Sequence, residues 1–332
     1  MMTMNKLLYL LLLFTFSTSE IFSQSSNAAL KDKVICIDPG HGGTSATDHY
    51  RVGPTGEREE WINLRVGLLL QKMLLEKGAK VLITRTDDQF VTLPDRAKLA
   101  NDNKADLFIS IHHNATADSS VNFPIIYFHG NKSENKASVS FGKELALKML
   151  KYLHHKNSPV SLVSDFTIFP DAGASVLRNT YGIPGILAEA SFFTNKEEEN
   201  RLKQENHNRN EAKAYLEAIE GFFSKTIDPI EKQNSKVPQI PAFKVFQEAE
   251  RMTPIAKNWK KDYQDAKNVL AETDTISLKK AYELFSRSAR SFPDSYVAAL
   301  CHKNRALILT KLNRTKEAEQ EAQRFKEYYV EM

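Results

Sequence analysis

Lys33-Val34-Ile35-Cys36-Ile37-Asp38-Pro39-Gly40-His41-Gly42-Gly43 is the stretch on which the fold turns. The apolar run Val34 to Ile37 reads as a buried strand, and Asp38-Pro39-Gly40 ends it in a turn. His41 then sits among glycines, which let the backbone turn tightly and leave the imidazole facing open space.

The chain downstream repeats this alternation of short apolar runs and helical patterns, the signature of an α/β fold with a core sheet flanked by helices. Glu60 to Lys77 places Ile62, Leu64, Val66, Leu69, Leu70, Met73 and Leu74 at helical spacing and stops at Gly78. Ala79–Thr84, Asp106–His112, Phe123–Phe128 and Gly185–Glu189 are the further expected strands. Leu93–Asn103, Ser133–His155 and Asn210–Phe223 are the expected helices. Ser161–Phe169 and Ser175–Arg178 fit either state.

Three more segments carry residues suited to chemistry. Glu59 and Glu60 open a helix, about 100° apart on its surface, so either could face a site. His112 and His113 end the strand that begins at Asp106, and alternation sends them to opposite faces, so one of them can reach a given ion. Glu189 interrupts the apolar stretch from Ile183 to Phe193, where a carboxylate costs several kcal/mol unless a cation or partner is near. His41, the histidines at 112–113 and Glu189 all fall at or just after strand ends, where α/β sheets bind ligands. Two imidazoles and a carboxylate can hold Zn²⁺ with one position open for water, and a further carboxylate can take that water's proton. The set points to a metallohydrolase. Asp38 could be a ligand too, but is expected rather to orient one imidazole through its second nitrogen. His129, His154 and His155 read as surface or helix-end residues.

The 332 residues are 42% apolar and 26% charged with a net charge of +4. Basic residues are scattered rather than clustered, which argues against a nucleic-acid groove. Residues 1–24 carry Lys6 followed by the apolar run Leu7 to Phe16, ten residues long. That run is too short to span about 30 Å of bilayer at about 1.5 Å per residue, and it fits a cleaved signal peptide. The mature chain is therefore expected to be exported, periplasmic or extracellular, without a transmembrane anchor. Cys36 and Cys301 fall in different expected domains, and Cys36 reads as a small buried hydrophobe.

The catalytic domain is expected over 30–224, followed by a Pro-punctuated linker over 225–243 and an all-α region over 244–332. Ala281-Tyr282-Glu283-Leu284-Phe285, Phe292-Pro293 and the run from Ala306 are similar to tetratricopeptide spacing, but only one or two units fit. A helical hairpin packed on the catalytic domain is the alternative. Either could recruit a protein partner.

The ordered segments together resemble the zinc-dependent N-acetylmuramoyl-L-alanine amidase family of bacterial cell-wall hydrolases. The resemblance rests on Asp38 to Gly43, a Glu five residues before Leu64, Thr84-Arg85-Thr86-Asp87-Asp88, Leu93 to Arg96, Ala100-Asn101, Ser110 to Ala115, and Leu187 to Asn195. It covers about 33–223 and implies zinc on His41, Glu59 and His112, Glu189 as the catalytic glutamate, peptidoglycan as substrate, and a mostly parallel central sheet. Departures are His113 in place of a small residue, Ser191 in place of glycine, and Ala190 in place of a larger aliphatic. They leave His113 open as a substrate contact or a ligand. A non-catalytic peptidoglycan-binding module and a zinc peptidase acting on the stem peptide are the competing readings.

Overall fold

The computed structural model describes residues 30–272 and 274–332; the expected signal peptide lies outside them. The first two-thirds alternates as the sequence predicts: β1 (Val34–Pro39), α1 (Glu59–Glu76), β2 (Lys80–Ile83), α2 (Leu93–Asp102), β3 (Leu107–Asn114), β4 (Ile125–Phe128), α3 (Lys136–Tyr152), β5 (Ser161–Ser164), α4 (Ser175–Asn179), β6 (Gly185–Phe192), α5 (Lys196–Leu202) and α6 (Glu205–Phe223). The remainder holds α7 (Glu248–Arg251), α8 (Pro254–Lys257), α9 (Trp259–Val269), α10 (Thr275–Ser291), α11 (Ala298–Lys311), α12 (Thr315–Tyr328) and β7 (Tyr329–Val330). The two ambiguous segments separate: the first becomes β5 and a 3₁₀ turn, Asp165–Thr167, and the second becomes α4. The Asn135 side chain accepts a bond from Ser138 N and so starts α3 later than the composition suggests.

The strands form one sheet in the order β2-β1-β3-β6-β4-β5-β7. β2, β1, β3 and β6 run parallel, with α1 and α2 supplying the crossovers that parallel neighbours need. β4 lies antiparallel to β6, β5 parallel to β4, and β7 antiparallel to β5. The sheet is mostly parallel, and the helical C-terminal region adds the edge strand.

Strand alternation divides the side chains into two cores. On one face Ile35, Ile37, Ile109, Ile111, Ile186 and Ala188 pack under α1, α3 and α6. On the other, Cys36, Phe108, Ile125, Tyr127, Val163 and Phe192 pack under α2, α4 and the C-terminal helices, through Trp259, Phe285, Phe292, Cys301 and Tyr328 among others. The C-terminal helices thus form part of the second outer layer of the sandwich. Both cysteines are free and buried there, and burial pushes each thiol up to about 12.

Polar contacts tie the same region down. The Glu134 carboxylate accepts from the backbone N–H groups of Asn234, Lys236 and Val237 at 3.1, 2.8 and 3.2 Å. Tyr329 donates its hydroxyl to Pro293 O at 2.8 Å, and Lys132 Nζ donates to Tyr329 O at 3.1 Å. The residues between the two regions are therefore docked along their course. Among the described residues no helix is long and apolar enough to cross a membrane.

Candidate metal centre

The turn after β1 is built to aim His41. Gly40 N donates to Ile111 O at 2.9 Å, which carries the chain over the end of β3. A Cβ on Gly40 would lie 2.2 Å from His112 Cε1, so only glycine lets the loop lie against that ring. His41, Gly42 and Gly43 then take φ values of 60°, 113° and 70°, three successive left-handed residues, of which only the first carries a side chain. Two buried arginines hold this backbone. Arg85 donates to Pro39 O, Gly40 O and Glu60 O at 2.9, 2.9 and 2.6 Å, and Arg96 donates to Pro39 O and His41 O at 2.9 and 2.6 Å. Such charge-assisted bonds to carbonyls are stronger than neutral ones.

Glu59, in the first turn of α1, is buried and meets both imidazoles. Its Oε1 lies 3.0 Å from His41 Nε2 and 2.9 Å from His112 Nδ1, and accepts from Asn63 Nδ2 at 3.2 Å. The two rings stand edge to face with centroids 4.7 Å apart. One ligand atom from each of His41, Glu59 and His112 lies within 4.8 Å of the others. This nitrogen–nitrogen–oxygen set fits Zn²⁺ with a free position. Burial alone would raise the Glu59 carboxyl, yet the imidazoles outweigh it and hold it well below the usual range. Burial lowers His41, keeping its ring in the neutral form that a metal needs.

The neighbours of Glu59 and His112 in sequence point elsewhere. Glu60 is buried against Arg58. His113 is buried on the opposite face, with Nδ1 2.8 Å from Asn63 Oδ1 and Nε2 3.1 Å from Glu211 Oε2. Burial works against its charge, but Glu211 beside it raises its pKa overall. It is removed from the cleft. Asp38 also departs from expectation: it orients no imidazole. It accepts from Thr84 Oγ1, Ser110 Oγ and Arg96 Nη1, each at 2.7 Å, because it is the register partner of Ser110 and shares that side of the sheet. His129, expected at the surface, is 2% exposed and lies 2.7 Å from Asp165.

Glu189 is the register partner of His112 across β3 and β6, so both side chains leave the same face. Oε2 of its carboxylate is buried without a partner among the described residues. Burial first, and then the nearby Glu59 charge, raise it well above the usual carboxylate range. Arg178 does not pair with it: that guanidinium donates through Nη1 to Ala172 O and Gly173 O at 2.9 and 3.1 Å.

The site opens into a cavity of about 540 Å³ along the strand ends. Phe90, Leu93 and Phe169 line it while 66, 53 and 49% exposed, and Arg51 and Arg178 add positive charge. Sequence reasoning missed the two phenylalanines, since an exposed aromatic in a loop has no periodicity to mark it. It noted Arg85 and Arg96 only as parts of motifs; a local signal for burying an arginine does not exist.

A family model described as N-acetylmuramoyl-L-alanine amidase matches residues 35–221. The chain is similar to the uncharacterized protein YqiI of Bacillus subtilis, 30% identical over 58% of this chain and 86% of that one. It is also similar to the probable cell wall amidase LytH of Staphylococcus epidermidis, 30% identical over 61% of this chain and 62% of that relative, so it spans less than two-thirds of LytH's length. Among solved structures, an N-acetylmuramoyl-L-alanine amidase from Clostridium difficile 630 aligns with a TM-score of 0.51 and 25% identity, over 59% of this chain and 99% of that one.

Proposed function

Because this chain belongs to the N-acetylmuramoyl-L-alanine amidase family, we propose that it is an exported, zinc-dependent hydrolase of peptidoglycan. The bond it cuts joins the lactyl group of muramic acid to L-alanine. The observation that supports this most directly is the meeting of His41, Glu59 and His112, with Glu189 the strand partner of His112, beside a cleft that His41 and His112 line.

In this reading His41, Glu59 and His112 hold the ion. Zinc held there would polarise the amide carbonyl and activate a water. Glu189 takes the proton of the attacking water on its unpartnered oxygen and delivers it to the L-alanine nitrogen as the C–N bond breaks. One water is consumed; the glycan keeps a lactyl carboxylic acid and the peptide leaves with a free amine. Arg85 and Arg96 keep the His41 backbone in place, so the ring needs little reorganisation. Phe90, Leu93 and Phe169 offer apolar faces to the sugar rings. The domain organisation is read as a leader over 1–24, a catalytic domain over 30–224, a connection over 225–243 and a helical region over 244–332. Outward-facing Met252, Ile255, Ile276 and Leu307 are where a protein partner would meet those helices.

Digestion of defined muropeptides with and without a chelator, read by mass spectrometry, tests the proposal. Free stem peptides beginning at L-alanine are expected, and chelation should stop their release. Cleavage within the peptide would move the scissile bond, and binding without release would leave a non-catalytic module. Glu189→Gln should keep zinc and lose turnover by about 10²–10⁴-fold.

A further inference from the structure

Asp165 and His129 form a buried acid–imidazole pair apart from the proposed metal ligands. His129 Nδ1 lies 2.7 Å from Asp165 Oδ2, and the same oxygen accepts from Ala174 N at 2.7 Å. The chain between these residues is wound on Asp165: Phe169 N donates to Asp165 O at 2.9 Å, and Gly173 N to Phe169 O at 2.8 Å. Gly173 takes φ 69°, and a Cβ there would fall 2.5 Å from Asp165 Oδ2 and 2.6 Å from His129 Nδ1, so only glycine lets the loop close on the pair. Replacing a buried pair by apolar side chains often leaves a fold as stable, but apolar side chains could not accept from Ala174 N. The polar pair therefore fixes a particular loop conformation, and that loop brings Phe169, Gly173, Ala174 and Arg178 to the cleft.

The anchor is backed from outside the catalytic domain. The His129 ring lies 5.3 Å from Phe166 and 5.5 Å from Tyr181, centroid to centroid. Phe166 packs on Tyr328 of α12 at 5.6 Å, and Tyr181 donates its hydroxyl to Glu231 O at 2.7 Å. Tyr328 and Glu231 both lie beyond residue 221, where the family match ends.

Phe169 follows β5 and Phe90 follows β2, and both line the cleft. In the sheet order β1 and β3, which lead to His41 and carry His112, lie between those two strands. The two exposed rings therefore come to the metal centre from its two sides. A glycan continues on both sides of each muramic acid, whereas the stem peptide leaves from one point, so rings on both sides match the glycan. We propose that His129 and Asp165 are positioning residues for a glycan subsite built on Phe169. This rests on the cleft being the seat of peptidoglycan hydrolysis.

The test uses the full-length protein loaded with zinc and two substrates with the same stem peptide, one on a glycan of several disaccharides and one on muramic acid alone. In Asp165→Ala and His129→Leu, KM for the long glycan should rise about tenfold with kcat and zinc content unchanged, while KM for the short substrate moves by less than about twofold. Gly173→Ala, which pushes on the pair without removing it, should act in the same direction. His129→Asn can donate from near the Nδ1 position and should restore KM to within about twofold of wild type. Glu321→Gln, which breaks the buried His302–Glu321–Arg305 group elsewhere, should lower stability and leave KM unchanged. Wild-type KM for the long glycan in D165A and H129L, an equal rise on both substrates, or an equal rise in E321Q would each overturn the proposal. If the buried variants do not fold, Phe169→Ala carries the same test at the surface, and wild-type KM on the long glycan would overturn it there. Failure of the wild type to release peptide from either substrate would instead remove the hydrolase reading beneath the proposal.

Discussion

The two faces of the sheet put the same residue types to opposite uses. On the face under α1, α3 and α6, His113 is enclosed with Asn63 and Glu211, and the imidazole braces a helix against a strand. On the other face His112, one residue earlier, stands half-buried at a cleft beside Glu59 and His41. Chemistry of the side chain does not separate them; closure does. A face covered by three long helices is closed over its polar groups, while a face whose outer layer is assembled from short α2, short α4 and the C-terminal helices leaves a gap at the strand ends. His41 and His112 line that gap.

The largest expected effect breaks the comparison outright. His112→Ala should cost zinc binding more than the roughly 10–100-fold lost when a mere supporting partner of a ligand is removed, and turnover with it; metal analysis after dialysis checks this. Equal zinc in His112→Ala and wild type would return the open face to a structural role. Truncation after residue 224 should come next. It uncovers Phe123, Tyr127, Val163 and Phe192, and at about 1.5–3 kcal/mol for each large apolar side chain the sum rivals a typical stability of about 5–15 kcal/mol. The truncated protein is expected to aggregate or melt early in a thermal scan; a soluble fragment with an unchanged melting point would show that the second face is closed without those helices.

His113→Ala sharpens the contrast from the other side. It strands the buried Glu211 charge, so a loss of about 3–5 kcal/mol in denaturant stability is expected, with zinc content intact. The smallest effect concerns acid. Burial alone would raise Glu198, but His207 and Arg201 beside it hold its carboxyl down at about 2. A carboxyl lowered on folding stabilises above its unfolded value and loses that contribution as pH falls through the folded one. The melting point should therefore decline between about pH 4.5 and 2, by an amount worth about 3 kcal/mol from this group, and Glu198→Gln should flatten that decline.

Much of the fold was legible because its signals are local. Apolar runs bounded by Gly or Pro mark β1 and the start of β6, helical spacing after Glu59 marks α1, and the positions of the histidines near strand ends follow from the same reading, whereas Glu189 falls inside β6 rather than at its end. The boundaries that shifted did so for tertiary reasons: β6 continues to Phe192 because Phe192 pairs with Asn114, and β5 stops at Ser164 because Asp165 turns inward to His129 and to Ala174 N. The role of Asp38 was misread for a related reason, since its partners Thr84, Arg96 and Ser110 come from three separate segments.

By itself, then, the sequence determined which residues could hold a metal, and that the histidines among them would lie near strand ends and the glutamate at a helix start, since turn chemistry and periodicity act over a few residues. The family resemblance already favoured Glu59 over Glu60 and His112 over His113; the tertiary structure brought the favoured pair beside His41, turned Glu60 and His113 away, and laid the C-terminal helices over the face that carries His112. Each of those choices depends on which strand lies alongside and which helix closes above, contacts between segments tens to hundreds of residues apart that no local pattern encodes.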